Sequence, residues 1–341
     1  MQMASDVDEY PHEILRVCSY HRRDFDLALV RSRPHEMQPV QESLQAAFET
    51  SPASGLGILD RLPTELMSIM LRDLDILSYF RFRQVNRRAR VLSTAVWEYE
   101  LVAKYGLEGL RGLLRAKLAH NFTIMDLYRP LITLSCALCG AFGGFLFLLT
   151  ATRCCFACIR TSPKMRVSCI SAFAKLTGIS AGRLHRLLRL KMCTVPGLYS
   201  MEEKPARRPK DLIAEDEAIS SLISLGVLRQ DSIQSLARRT EHETQRFMAS
   251  TAFPWYDSDS AKIERGVSCK GCQVRVETSD GSYEDRDRVF STTGFLTHFT
   301  NCVEAQNLWA ESQKGARPIQ EPEFTRRCGY FTSLGSDGLP R

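Results

Sequence analysis

Eight residues in two sets have the types and spacing to hold metal ions. The first set is Cys136-x2-Cys139-x15-Cys155-x2-Cys158. This fits a four-thiolate zinc pattern, two short pairs separated by 15–20 residues. A tetrahedral ion needs four ligands at short range, with zinc–sulfur bonds near 2.3 Å. A Cys-x-x-Cys turn brings two sulfurs to one ion, and a hairpin of the intervening residues brings the two turns together. Gly140 suits a turn with positive φ. In "RCCFAC", Cys154 and Cys155 compete for one position. Cys155 keeps the x2 spacing to Cys158 and is preferred, with Cys154 as a spare. The second set is Cys269-x2-Cys272-x25-His298-x3-Cys302. His298 and Cys302 stand at i and i+4, so one helix from Thr292 or Thr293 would aim both at one point. "VRVE" after Cys272 alternates as a strand does, and the insert "SDGSYEDRDR" reads as a loop. Cys18, Cys169, Cys193 and Cys328 have no partner at metal spacing. A four-thiolate zinc has no open position for a substrate. No Ser/His/Asp set, phosphate-binding loop or dinucleotide loop is evident, so a non-enzymatic protein is expected.

The first set lies in a stretch with a rival reading. Residues 130–152 contain no charged residue, long enough for a membrane-spanning helix, and Gly140-x3-Gly144 is a helix-pairing spacing. The readings exclude each other, because a helix would hold Cys136 and Cys155 about 28 Å apart. The matched cysteine pairs favour the hairpin, with "FLFLLTA" as a buried return strand.

The elements that must position these ligands are mostly helical. The chain has 341 residues, 44% hydrophobic and 25% charged, with a net charge of +6 and twelve cysteines. That is ordinary for a folded protein of two or three units. The opening "MQMASDVDEYPHEILRV" has acids where a secretory leader has bases, so no secretory route is expected. A reducing compartment, cytoplasm or nucleus, would keep the cysteines as thiols or metal ligands. Residues 1–55 are polar and read as a disordered segment with a short helix near "QESLQAAFE". Residues 106–200 would be a zinc-ribbon-like unit with basic helices, and 201–250 a linker with helices at 211–226 and from about Asp231. Residues 251–312 would be the Cys-Cys-His-Cys module, and 313–341 a loose tail.

Residues 166–193 contain a helix, a turn and a helix. Ala174, Gly178 and Leu184 match helix-turn-helix spacing, with Ser180 as a cap. Eight basic residues and no acid lie between Arg160 and Lys191, and Arg183, Arg186 and Arg189 form one stripe. Phosphate contacts from such a helix would support nucleic-acid binding. A solvated face or a dock for an acidic partner needs only the same charges, and nucleic-acid binding is not the favoured reading.

Residues 56–105 form a compact helical block. Pro63 and Glu65 suit a first helical turn. Leu66, Ile69 and Met70 share one face. Asp75 can cap a second helix, and a third would run from about Val85. Three short helices bury little surface by themselves, so an apolar face is left for a partner. "LDRLPTELMSIMLRDLD", "FRFRQVNRRAR" and a trailing Trp97 resemble an F-box at Leu62, Pro63, Glu65, Leu66, Ile69, Leu74, Phe82 and Val85. Asn86 departs from the small residue or Cys common there. The resemblance implies a three-helix unit that docks on the Skp-type adaptor of a cullin–RING (SCF) ubiquitin ligase. The order of the F-box, "TLSCALCGAFGGFLF", "RCCFAC", "FMASTAFPWYD", "GVSCKGC" and "GFLTHFTNC" also resembles a group of fungal F-box proteins.

The expected fold is therefore mainly α with small β elements: an F-box, a zinc-ribbon-like hairpin with helices, and a second finger-like module. Two zinc ions are expected. The expected function is a substrate receptor for ubiquitin-dependent degradation that joins the adaptor and ligase core to an unknown protein. The alternative is a zinc-dependent nucleic-acid-binding regulator using residues 166–193. No membrane partner is expected.

Overall fold

The computed structural model of the chain describes residues 2–47, 51–52, 54–199, 204–229, 243–278 and 281–329. Helices dominate, and the strands form small sheets of two or three.

Helices Thr64–Asp73, Ile76–Arg83 and Arg87–Thr94 follow one another through short turns. Asp75 accepts the Ser78 amide at 2.9 Å and starts the second. Asn86 accepts the Ala89 amide at 2.9 Å and starts the third, two residues later than expected. The departure at Asn86 is thus a helix cap. Met67, Leu71, Ile76, Tyr79 and Ala89 face inward. They do not make a free-standing bundle. The same core continues through helices Trp97–Tyr105, Leu107–Arg115 and Ile124–Ile132, and Tyr79 stacks on Tyr99 at 5.0 Å.

Residues 2–47 are folded, against the expectation of disorder. They contain helices Gln2–Glu9, Pro11–Cys18, Arg23–Leu27 and Pro34–Gln45. Ile14, Phe25, Leu29, Val30 and Leu44 are buried. Buried Arg83 donates to the carbonyls of Ser43, Leu44 and Ala46 at 3.0–3.2 Å. It closes the last turn of helix Pro34–Gln45, where carbonyls lack helical partners.

The uncharged run at 130–152 is not one helix. It leaves helix Ile124–Ile132, turns at Cys136, and enters strand Phe145–Phe147. That strand lies between Thr152–Cys154 and Ser250–Ala252 in an antiparallel sheet, with Phe145 opposite both Cys154 and Ala252. Leu146, Phe147, Leu148 and Leu149 are buried in the main core. Among the described residues, no helix is long and apolar enough to cross a membrane.

The remaining expectations are corrected in part. Residues 211–226 begin as strand Asp211–Ala214, between Val167–Cys169 and Met192–Cys193, and only then form helix Glu215–Ser224. The 201–250 region is therefore not a plain linker, since Leu212 and Ile213 are fully buried. The helix placed from Asp231 falls largely outside the described residues, which resume at helix Glu243–Met248. Residues 313–329 of the tail, expected to be loose, are ordered. Phe324 is buried, Lys270 pairs with Glu321 at 2.7 Å, and the Arg23 amide donates to the Cys328 carbonyl at 3.0 Å.

Candidate metal centres

The first centre is built on two tight turns at the base of a hairpin. Cys136 begins one. Its carbonyl accepts the Gly140 amide at 2.9 Å, and its Sγ accepts the Leu138 amide at 3.4 Å. Gly140 has φ +75°, as the turn requires. Cys155 begins the other, at the start of helix Phe156–Thr161, with Sγ accepting the Cys158 amide at 3.4 Å. The pairing of Phe145–Phe147 with Thr152–Cys154 brings the turns together. Cys136, Cys139, Cys155 and Cys158 then place their sulfurs within 4.8 Å of one another. Cys154 is fully buried and lies outside this set. Successive residues leave a strand on opposite faces, which settles the choice between the neighbours in favour of Cys155.

The second centre draws on four elements. Cys269 ends strand Ser268–Cys269, which pairs with Ser19–Tyr20. Cys272 lies in the first turn of helix Lys270–Thr278, and its amide donates to the Cys269 Sγ at 3.4 Å. The stretch expected as a strand, "VRVE", is inside this helix. His298 lies near the end of helix Thr292–Phe299, which Ser291, rather than either threonine, caps. Cys302 is not on that helix. It precedes helix Val303–Glu311, so a break between two helices brings it to His298. Gly271 is needed for close approach, because a Cβ there would meet the Ala305 amide nitrogen at 2.3 Å. Cys269, Cys272, His298 and Cys302 all offer ligand atoms within 4.8 Å of one another.

The separations suit a tetrahedral ion. Zinc–sulfur bonds near 2.3 Å imply a sulfur–sulfur edge of about 3.8 Å and a sulfur–nitrogen edge of about 3.6 Å. Cys139 and Cys155 sulfurs are 3.6 Å apart, and those of Cys269 and Cys302 are 3.8 Å apart. Cys272 Sγ is 3.4 Å from His298 Nε2. A disulfide would need about 2.05 Å. The electrostatics also suit a cation. The hydrogen bond from Cys155 pulls the Cys136 pKa down to about 4, and the same bond raises that of Cys155. Hydrogen bonds from Cys269 and Cys272 lower Cys302 strongly. Each centre thus favours one thiolate, the form that binds metal, while Cys155 and Cys158 in the first and Cys269 and Cys272 in the second are pushed up by their neighbours and by burial. Both residue sets can hold a metal ion.

Two neighbours escaped the sequence reading. Arg153 is buried beside the first centre, donating to the carbonyls of Pro130 and Pro254 at 2.8 and 3.0 Å. Its Nε and Nη2 have no hydrogen-bond partner among the described residues. A divalent ion held by four thiolates would carry a net charge of −2, and this guanidinium would offset part of it. The signal was present in the sequence, as the single cation between an uncharged run and a ligand pair. Cys18 lies beside the second centre but outside its ligand set. It donates to the Ala305 carbonyl at 3.3 Å, and burial pushes its pKa up to about 12.

The residues of the F-box resemblance divide into two groups. Leu62, Leu74 and Phe82 are half-buried against the main core. Pro63 and Glu65 are exposed, and so are Leu66 (48%), Ile69 (51%), Val85 (66%) and Trp97 (52%). In the basic region, helices Ile170–Thr177 and Ala181–Leu187 are joined at Gly178, φ +69°. Leu184 and Leu188 are buried, while Arg183, Arg186 and Arg189 are exposed. Ser180 precedes the second helix but makes no side-chain cap. No family model matches this chain, and no curated protein or solved structure does either.

Proposed function

We propose that the protein is an F-box substrate receptor, whose helical block docks on a Skp-type adaptor and whose zinc-stabilised remainder holds a protein to be ubiquitinated. The observation that carries this reading is the set of large apolar side chains left in solvent on the short helices and the turn between two of them, Leu66, Ile69, Met70, Val85 and Trp97. Solvent-exposed apolar residues grouped in this way mark interaction surfaces. They lie on the stretch that resembles an F-box. The opposite faces of the same helices are committed to the core, which makes the block a rigid mount. Zinc is the ion favoured at both centres, by sulfur-rich ligand sets and tetrahedral edges. Its role is structural, fixing chain segments that bury little area of their own. Such a receptor needs no catalytic residue. Holding ligase and substrate together makes ubiquitin transfer effectively intramolecular.

The test is co-purification of the full chain with a Skp-type adaptor, compared with the Leu66→Ala, Ile69→Ala variant. Both side chains are about half exposed, so the substitution spares the core. Burying one such side chain contributes about 1.5–3 kcal/mol, so adaptor affinity should fall at least roughly tenfold. Zinc content should stay the same. Adaptor capture at wild-type levels by the variant, or none by the wild type, ends this reading. The exposed basic row Arg183, Arg186 and Arg189 supports a second reading, a nucleic-acid-binding regulator. Salt-dependent retention on DNA, lost on neutralising that row, would bring it forward.

A further inference from the structure

A cavity of about 460 Å³ lies on another part of the molecule. Leu29, Arg31, Arg33 and Glu36 line one wall, Arg115 another, and residues 196–199 with Ala206 and Arg207 the third. Four of its lining residues are arginines and one is an acid. Neither metal centre nor the exposed apolar set includes any of them. The walls are fixed from behind. The Val30 amide donates to the Ser250 carbonyl at 2.9 Å, and the Ser32 amide to Glu108 at 3.1 Å. Arg115 donates to the Arg31 carbonyl at 2.9 Å, holding its guanidinium against this wall. Glu36 turns back to accept the Arg33 amide at 3.3 Å, at the start of helix Pro34–Gln45. Tyr199 is buried in the floor, its hydroxyl donating to the Val195 carbonyl at 2.6 Å, with Arg31 and Arg115 in electrostatic range.

Arginine stays charged at any working pH and grips phosphate oxygens in pairs. Clustered arginines are a recurrent means of reading a phosphorylated motif. The rest of the lining is Leu29, Pro196, Gly197, Leu198, Tyr199 and Ala206, an apolar surface. Among the described residues that line it there is no Asn, Gln, Ser, Thr or Asp side chain to read the edge of a base. The chemistry therefore suits a phosphate ester on a short apolar or aromatic stem rather than a nucleotide.

We propose that this cavity binds a phosphorylated side chain, phosphothreonine or phosphotyrosine, of a protein partner. Arg31, Arg33, Arg115 and Arg207 hold the phosphate, and Leu29, Leu198 and Tyr199 pack the stem. The proposal deepens the receptor reading, because it names the feature by which a substrate is recognised. It does not depend on adaptor docking, which uses a separate face.

The experiment is calorimetric titration of the zinc-loaded full chain with phenyl phosphate and with an alanine–glycine peptide bearing one phosphothreonine. Phenol, the unphosphorylated peptide and AMP are the comparison ligands. Both phosphate esters should bind, phenol and the plain peptide should not, and AMP should bind no tighter than phenyl phosphate. Affinity should fall as the pH drops through the second phosphate ionisation, about 6. Arg33 and Arg207 are exposed, so Arg33→Ala with Arg207→Ala should preserve folding and weaken binding at least tenfold. Arg183→Ala with Arg186→Ala, on exposed arginines elsewhere, should leave it within twofold. No binding of either ester, or binding unaffected at Arg33 and Arg207, overturns the site. Tighter binding of AMP overturns the phosphopeptide assignment. Adaptor capture measured on the same samples separates the two readings. Phosphate binding without capture sinks the F-box alone, and capture without phosphate binding sinks the cavity alone.

Discussion

The two candidate metal centres would solve the same coordination problem with different amounts of chain. The first is nearly self-contained. Its ligands span residues 136–158, and one hairpin brings both turns together. The second takes its ligands from a strand end, two helices and a helix break, and leans on the N-terminus. Helix Pro11–Cys18 contributes Ile14, Val17 and Cys18 to a buried cluster that also contains Cys269, Cys272 and Cys302. Ser19 pairs with Cys269 itself. The first centre therefore closes a local loop, whereas the second fastens the two ends of the described chain to each other. The metal contribution should propagate accordingly.

The largest expected effect is loss of an ion. Structural zinc supplies about 10–16 kcal/mol of apparent binding energy that is also folding energy. On the proposed zinc reading, Cys136→Ser with Cys139→Ser should remove one of two ions and loosen residues 136–158. The central strand should hold, because Phe145–Phe147 also pairs with Ser250–Ala252 and backs onto the main core. Cys269→Ser with Cys272→Ser should remove the other ion and also release residues 11–20. Elemental analysis counts the ions, and hydrogen exchange maps the released segments. If residues 11–20 keep their protection in the second variant, the contrast between the centres is broken.

The same contrast explains what was legible in the sequence. Cysteine spacing encodes the turn geometry, so the eight residues that the fold brings together in two groups could be named from one-dimensional pattern. The supporting hairpin of the first centre could be placed too, because it lies between its ligands, although "FLFLLTA" holds the outgoing strand Phe145–Phe147 and the turn, and the return strand is Thr152–Cys154. The supporting elements of the second could not. The polar segment 2–47 looked disordered because its few apolar residues form no pattern within a window. Their partners are distant: Ile14 packs in a cluster with Trp309, and Phe25 stacks on Phe156 at 3.7 Å. "VRVE" alternates over only four residues, too few to outweigh a helix that starts from the Cys269 turn and packs on Val303–Glu311. His298 and Cys302 had helical spacing, and helical spacing does not reveal that the helix breaks between them.

A middle-sized effect is expected where the N-terminal segment crosses between the centres. Buried Arg22 holds Asp24 through two bonds of 2.8 and 2.6 Å, and reaches Asp287 at 2.8 Å. Asp287 also pairs with Arg160, on the helix that follows Cys155, at 3.4 Å. Burial raises the Asp24 carboxyl pKa even with this partner. Arg22→Met would leave the buried Asp24 carboxylate without its cation, while Asp287 keeps Arg160 and Arg286, at a cost of about 3–5 kcal/mol. Urea unfolding of the zinc-loaded chain measures this. A change under 1 kcal/mol would show that the crossing segment is not held by charge.

The smallest effect sharpens the comparison through pH. His21 follows the strand that pairs with Cys269, and ties the N-terminal segment to the second centre's approach loop. Its Nε2 is 2.7 Å from Asp26 Oδ2, and its Nδ1 is 3.2 Å from the Gly266 carbonyl. Burial disfavours the imidazolium and Arg265 opposes it, but the Asp26 hydrogen bond and charge outweigh both, so the pKa is raised. A cation with a raised folded pKa stabilises the fold fully below its unfolded value, near 6.5, and that stability is lost as pH climbs through the folded value. Protection of residues 11–20 should therefore weaken from pH 6 to pH 8.5, by about 1 kcal/mol, the scale of one hydrogen bond. His21→Gln should flatten the dependence, and residues 136–158 should show none in either protein. Zinc content, checked at both ends of the range, keeps ligand protonation out of the comparison. A wild-type profile as flat as that of the variant would remove His21 from the joint and leave Arg22 and the metal to hold it.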